Sequence, residues 1–424
     1  PNPTMNTRVV SFILALGLTS AAVQASETFS VVPDSAQALS IVGGRYANLS
    51  DASAVRVAPA NILKIEKSEL LINTALWHGD IYVKQNGGQG VPMNRPWVFP
   101  ASMYFVQPVI PGRLSFGLGV STPYGMAASY PKGMGGALRY ALPYEATLLT
   151  VDITPAVAVK ITDDLSFAVG LDILYADLTM KQFYNWSNII PGSAEGDIKI
   201  HGQGWGMGAY AGINWTFAKR HRFAVIGRLP VKVNFSGDFK STNMPPALMG
   251  AGFSESSGFK SDTTFPGSIS VGYGFDVTDR FTVGLDFKWA QNSSHDDLPI
   301  LIGNNQALLG GSTGSVFGWR NSIDIGTGMS YQLNENWALR GGYLFSENSQ
   351  PQNSYTPLVP GNDRHVFSLG VGWRGKTRGV DLSYAYVFYP TRVISGAASS
   401  PANQYDGSYN HQWHVLSLSI TQRF

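Results

Sequence analysis

Apolar residues recur at every second position along most of this chain, in runs too long for an ordinary soluble sheet. Leu165, Phe167, Val169, Leu171, Ile173 and Tyr175 share one face, and Ser166, Ala168, Gly170 and Asp172 share the other. Phe281, Val283, Leu285, Phe287 and Trp289 likewise oppose Thr282, Gly284, Asp286 and Lys288. The pattern returns at Ile323, Ile325, Thr327 and Met329 and again at Val380, Leu382, Tyr384, Tyr386 and Phe388. Period two marks β-strands with one apolar and one polar or small face. Soluble sandwiches use strands of about 5–6 residues. Strands of about 10 residues or more, apolar outside and polar inside, suit a membrane barrel.

Loop lengths support this independently. Fourteen strands are predicted, at 70–83, 99–109, 113–122, 146–161, 165–179, 198–217, 222–236, 263–277, 280–290, 316–333, 336–346, 363–374, 378–389 and 411–424. Short turns such as Pro111-Gly112 and Thr278-Asp279 alternate with long connections such as Pro123 to Tyr144 and Gly237 to Asp262. Short periplasmic turns opposite long external loops are the mark of an outer-membrane barrel, and an even count puts both barrel ends on the periplasmic side. The expected fold is all-β: a 14-stranded antiparallel transmembrane β-barrel over residues 68–424.

Composition fits. Charged residues are 14% of the 424, against about 25% in ordinary domains. Glycine, 47 residues, is enriched, as an uncrowded inner face requires. Trp205, Trp215, Trp289, Trp319, Trp337, Trp373 and Trp413 fall near predicted strand ends, where an aromatic girdle is expected. A net charge of +2 gives no broad footprint for nucleic acid. With no cysteine there is no disulfide or thiolate metal site, and the seven histidines lack zinc-ligand spacing, so no metal or other cofactor is expected. His295-Asp296-Asp297 and His78-Gly79-Asp80 are weak candidates for acid–base work, no G-x-S-x-G elbow occurs, and no enzyme is expected.

Residues 1–25 read as a signal peptide: Arg8, an apolar stretch from Val9 to Leu18, and a cleavage site after Ala25, following residues upstream of Met5. Residues 26–67 are small-residue-rich, broken by Gly43-Gly44 and Pro59, and do not read as a strand. A barrel of fourteen strands leaks if empty, and this segment suits a plug. Gly202, Gly204, Gly206 and Gly208 share one strand face and would leave inner room for a plug or ligand. Pro155 and Pro230, inside predicted strands, are candidate breaks in pairing.

The plug carries Ser35-Ala36-x-Ala38-Leu39, Gly43-Gly44-x-Tyr46-Ala47, Asp51-Ala52-Ser53 and Ala58-Pro59-Ala60-Asn61. Downstream stand FGLGVSTPYG from Phe116, TPAVAVKITDDLSFAVGL from Thr154, GWRNSIDIGTGMSYQLNENWALRGGY from Gly318 and VPGNDRHVFSLGVGW from Val359. In this order the motifs resemble the outer-membrane long-chain fatty acid transporter family (FadL-type), which includes aromatic-hydrocarbon channels. The resemblance implies a monomeric barrel plugged by an N-terminal hatch, here including Gly43, Gly44, Asp51, Pro59, Ala60 and Asn61. Ala58 stands where the family usually has Asn, which removes a side-chain donor and acceptor. The implied activity is passive uptake of hydrophobic small molecules, long-chain fatty acids first, with neutral hydrocarbons as the alternative and a general porin as the remoter one. A chain-terminal aromatic, here Phe424, is by the same kind of resemblance a mark for the outer-membrane assembly machinery, and lipid and lipopolysaccharide are the expected surroundings.

Binding a carboxylate needs a cation, and four stand on faces assigned inward: Arg228, Lys232, Arg320 and Arg340. Pairing with the inward acids Asp152, Asp172, Asp286 or Asp324 is the competing expectation.

Overall fold

The computed structural model describes residues 34–85, 90–94, 97–133, 138–295, 297–309, 314–316, 318–356, 361–396 and 405–424. The expected signal peptide at 1–25 lies outside them. Fourteen long antiparallel strands form one closed barrel. They are β1 (Glu69–Gln85), β2 (Ala101–Ile110), β3 (Leu114–Ser121, resuming at Gly125–Ser129), β4 (Glu145–Lys160), β5 (Leu165–Tyr184) and β6 (Gly196–Phe217). Next come β7 (His221–Arg228 and Val231–Ser241), β8 (Ser256–Phe265 and Ser268–Asp276), β9 (Phe281–Ala290) and β10 (Ser322–Gln332). β11 (Trp337–Ser346), β12 (Arg364–Arg374), β13 (Arg378–Phe388) and β14 (Gly407–Arg423) complete the wall. β1 pairs with β14 from Glu69↔Arg423 to Gln85↔Gly407, so no edge is left unpaired there. Short strands such as Trp97–Val98 and Arg392–Ile394 extend this sheet at the long-loop end.

The wall has two storeys with opposite polarity. At the short-turn end of β14, Leu416, Leu418 and Ile420 are exposed on the outside while Ser417, Ser419 and Thr421 are buried inside. Toward the long loops the inner positions become Tyr409, His411, Trp413 and Val415, and His414 faces out. β5 does the same, with Asp172 inside low down and Leu174, Ala176 and Leu178 inside above it. The period stays at two; only the identity of the apolar face changes. The lower storey therefore suits lipid outside, and the upper storey suits water outside with an apolar interior.

In β7 and β8 the change coincides with a phase slip. β6 pairs as Arg228↔Tyr210 below and Asn234↔Trp205 above, a one-residue shift across Leu229-Pro230. A one-residue slip sends every later side chain to the opposite face. Val231, Val233, Phe235 and Phe239 consequently point in, and Lys232 points out. The break expected at Pro230 is present, and a second lies beside it at Pro266-Gly267; at Pro155 β4 continues as a strand, but its pairing with β5 is interrupted between Ile153↔Ile173 and Ala156↔Gly170. The glycine stripe of β6 is filled by these neighbours rather than by the plug: Phe259 packs over Gly202, Val233 over Gly204 and Val231 over Gly206 and Gly208. Trp205, Trp215 and Trp337 are exposed on the outer wall, but Trp319 and Trp413 are buried inside, so the girdle expected from sequence loses these two.

Inside the lower storey sits the N-terminal segment. Helix α1 (Ala36–Ser40), helix α2 (Ala54–Val57) and a tight 3₁₀ helix (Pro59–Lys64) are nearly all buried. Ser35 caps α1 by accepting from the Ala38 amide, and Pro59 opens the 3₁₀ helix where an amide would be unpaired. Opposite residues 41–48, ladder neighbours Gly274, Gly284, Gly328 and Gly342 form a belt at one level of the wall. A Cβ at Gly328 would strike the Ile41 carbonyl, and one at Gly342 the Val42 backbone. Gly43, at φ +88°, makes the turn that fits this belt.

Gly328→Val is expected to cost about 1–3 kcal/mol by overpacking and to raise conductance by dislodging the segment. Gly227→Ala, on the open outer wall, is the control. Thermal unfolding and planar-bilayer recordings check this, and equal behaviour of the two variants would show that the belt bears no contact.

Candidate functional site: the lumen around the N-terminal segment

Most charges described in the lumen sit in compensated groups. Taking an ion out of water costs several kcal/mol unless a partner and hydrogen bonds replace the lost hydration. Arg56 of α2 lies 3.2 Å from Asp34 and 3.5 Å from Asp152 of β4. Tyr104 donates to Asp34 at 2.6 Å. Arg228 of β7 donates to Asp172 of β5 and, at 2.8 Å, to the Arg56 carbonyl, while its guanidinium stacks 4.3 Å above the Tyr210 ring. Around the wall, Asp286 accepts from the Arg45 and Tyr46 amides at 2.7 and 3.2 Å. Asp381 accepts from Arg340 at 2.7 Å and from Arg374 at 2.5 Å.

The four cations singled out from sequence therefore separate. Arg228 and Arg340 do face inward, each on a carboxylate. Lys232 lies on the outer face beside Asp262, because of the slip at Pro230. Arg320 precedes β10 at the outer end, where its amide donates to Ser349 and its side chain is exposed. Nothing in the alternation around Lys232 reveals the slip except Pro230 itself. Asp34, Arg45, Arg56 and Lys64 are further charges of the lumen, and their only signal in sequence is a charge set among small and apolar neighbours, as in Ala54-Val55-Arg56-Val57.

Of the plug residues, Asn61 is fully buried, donates to the Tyr46 and Leu49 carbonyls and accepts from Asn214 of β6 at 2.6 Å. Tyr210 adds a bond to the Val55 carbonyl. These contacts join segment and wall although Ala58 lacks the side-chain amide. Pro59 packs at Gly212, and Ala60 is buried beside it. Asp51 accepts from Ser35 at 2.7 Å and from Ser53 at 2.5 Å, tying the start of the segment to its middle. Burial pushes its carboxyl up to about 6, against the pull of the Ser53 and Ser35 hydrogen bonds.

Two cavities flank the segment. One of about 100 Å³, between Arg45, Arg56, Arg228, Lys288 and Asp324, is polar and too small for a long acyl chain. The other, of about 340 Å³, lies toward the short turns. Above, the interior becomes apolar: Tyr124 stacks on Phe265 at 4.6 Å and Trp77 meets Trp413 edge-on at 6.2 Å. Of the weak acid–base candidates, His295 is buried against Trp319 and shares a 2.7 Å hydrogen bond with Thr263, and His78 stacks on Trp97. Among the described residues no cluster of three metal-ligating side chains occurs.

Because the Asp51 carboxyl sits above the ordinary carboxylate value of about 3.9, its contribution to folded stability is present below that value and is lost as pH rises through about 6. Asp51→Asn is expected to lose less thermal stability than the parent between these limits, and a parallel decline in melting scans would refute the linkage.

A model of the family described as "Outer membrane protein transport protein (OMPP1/FadL/TodX)" matches residues 13–424. The long-chain fatty acid transport protein of Escherichia coli K12 is 22% identical over 81% of this chain and 83% of its own length. The crystal structure of a Pseudomonas aeruginosa FadL homologue superposes with a TM-score of 0.80 at 18% identity, covering 94% of this chain and all of that one. The Ralstonia pickettii toluene transporter TbuX superposes at 0.67 with 16% identity, covering 93% and 99%. With a closed fourteen-stranded barrel and a family match along almost its whole length, this chain belongs to the OMPP1/FadL/TodX family and is a multi-pass protein of the outer membrane.

Proposed function

We propose that the protein is an uptake channel that carries hydrophobic small molecules, long-chain fatty acids first among them, through the outer membrane by binding and passive diffusion. The observation that supports this reading is the apolar interior of the upper storey above residues 34–65, which pack inside the lower storey. Each methylene moved from water into such a lining gains about 0.8 kcal/mol, so a chain of about fifteen gains on the order of 10 kcal/mol. An aqueous pore has no comparable term. Residues 26–67 act as the hatch in this reading, and the short turns face the periplasm, as in outer-membrane barrels generally. No bond is made or broken, the working unit is a monomer in lipid and lipopolysaccharide, and Phe424, exposed at the chain's end, is the handle for the assembly machinery.

Within this reading Arg228, beside the upper cavity, is the cation placed to meet a carboxylate, exchanging Asp172 for the head group. Arg340 lies on the other side of the hatch. That Arg228 already has a carboxylate favours the second reading, transport of neutral aromatic or aliphatic hydrocarbons, which need no cation.

A competition series between oleate and toluene on the purified protein separates the two readings. Arg228→Ala is expected to weaken oleate binding about tenfold or more and spare toluene, and unchanged oleate binding would remove Arg228 from the site. Steady large conductance in planar bilayers would instead identify a porin and defeat both readings.

A further inference from the structure

Beneath the hatch, toward the short turns, the cavity of about 340 Å³ is lined by Lys64 from the hatch, Arg222 from β7 and Arg340 from β11, against the single carboxylate of Asp276. The volume corresponds to about ten waters, ample for an oxyanion. Arg222 is held by two bonds to Asp276, at 2.5 and 2.7 Å, and by Asn48. Arg340 spends one nitrogen on Asp381, and among the described residues its Nε and Nη2 have no partner, although the side chain is 93% buried. Asp381 is shared with Arg374 behind it. Lys64 donates to the Ala47 carbonyl at 2.8 Å and, among the described residues, has no carboxylate partner. Counting the groups behind the wall, Lys64, Arg222, Arg340 and Arg374 face Asp276 and Asp381, an excess of two positive charges. Further back, Glu69 is occupied by Arg423 and Asp51 by Ser35 and Ser53. A guanidinium with two free donors and an ammonium bonded, among the described residues, only to a carbonyl line one cavity, and these are the parts of an oxyanion receptor.

We infer that this lower cavity is an anion site, distinct from the upper storey, in which Lys64, Arg222 and Arg340 hold a carboxylate or phosphate group at the periplasmic mouth. Its ligand is either the head group of an anionic amphiphile or a free oxyanion. Lys64 is exposed toward the cavity, so a reagent in solution reaches its amine, and an anion seated in the cavity shields that amine and favours its protonated form.

The test follows acetylation of Lys64 by mass spectrometry in the full-length protein in detergent at pH 7.5, with dodecanoate, dodecanol or inorganic phosphate as probe. Dodecanoate is expected to slow Lys64 acetylation at least fivefold while dodecanol leaves it unchanged. Protection by phosphate as well assigns the site to oxyanions in general, and protection by dodecanoate alone assigns it to amphiphiles. Arg340→Gln should raise the protecting concentration about tenfold, and the measurement on the parent protein stands if that variant fails to fold. Failure of both anions to protect Lys64, or equal protection by dodecanol, overturns the inference. Because the readout is local to Lys64, it is unaffected by whether oleate or toluene occupies the upper storey.

Discussion

A polypeptide crossing hydrocarbon must satisfy every backbone amide and carbonyl from within, and the rest of this molecule depends on that constraint. Closing β1 onto β14 meets it, because the last strand then has no free edge. Closure over fourteen strands, however, encloses a lumen wide enough to pass water and solutes. Residues 34–65 fill its lower storey, and each contact they make is dictated by a wall that faces lipid on its other side. The inner face carries glycine, serine, threonine and paired charges, while the outer face keeps its leucines, isoleucines and phenylalanines.

The paired charges give the N-terminal segment its specificity of fit in the lumen. Arg56, Arg228, Asp34, Asp152 and Asp172 come from that segment, β4, β5 and β7. Replacing such a network with apolar residues can be neutral or stabilising, so its presence is no simple gain in stability. It does define one seating of the N-terminal segment, since a shift leaves a charge without its partner. The glycine belt works with it by shape, letting backbone meet backbone at Gly328 and Gly342. An apolar cluster adds to both, with Val55, Ile62 and Leu63 of the segment packed in one core with Tyr104, Val106, Ala156 and Ala158 of the wall.

Much of this was legible in the sequence. Alternation through Phe167, Val169 and Leu171 located β5, and short turns such as Thr278-Asp279 located the barrel's lower rim. The upper halves of β7 and β8 were read less well. Val231 to Phe239 alternates as regularly as the rest, so period alone does not tell which face is inside once Pro230 has shifted the phase. Lys232 was misplaced for that reason, and Trp413 because an inner face that turns apolar above the membrane reverses the usual reading of an aromatic near a strand end. The inward position of Arg228 and Arg340 is legible from the alternation, but their carboxylate partners Asp172 and Asp381 lie 56 and 41 residues away along the chain.

The sequence by itself determined the barrel, its strand number and the segment available to plug it, because periodicity, turn chemistry and composition are local properties that the chain carries before it folds. Only the tertiary structure decided which charges neutralise one another, which glycines receive residues 41–48 and where the strand faces exchange roles. Those depend on registers between distant strands, and a one-residue change of register, as at Leu229-Pro230, turns an inward cation into an outward one.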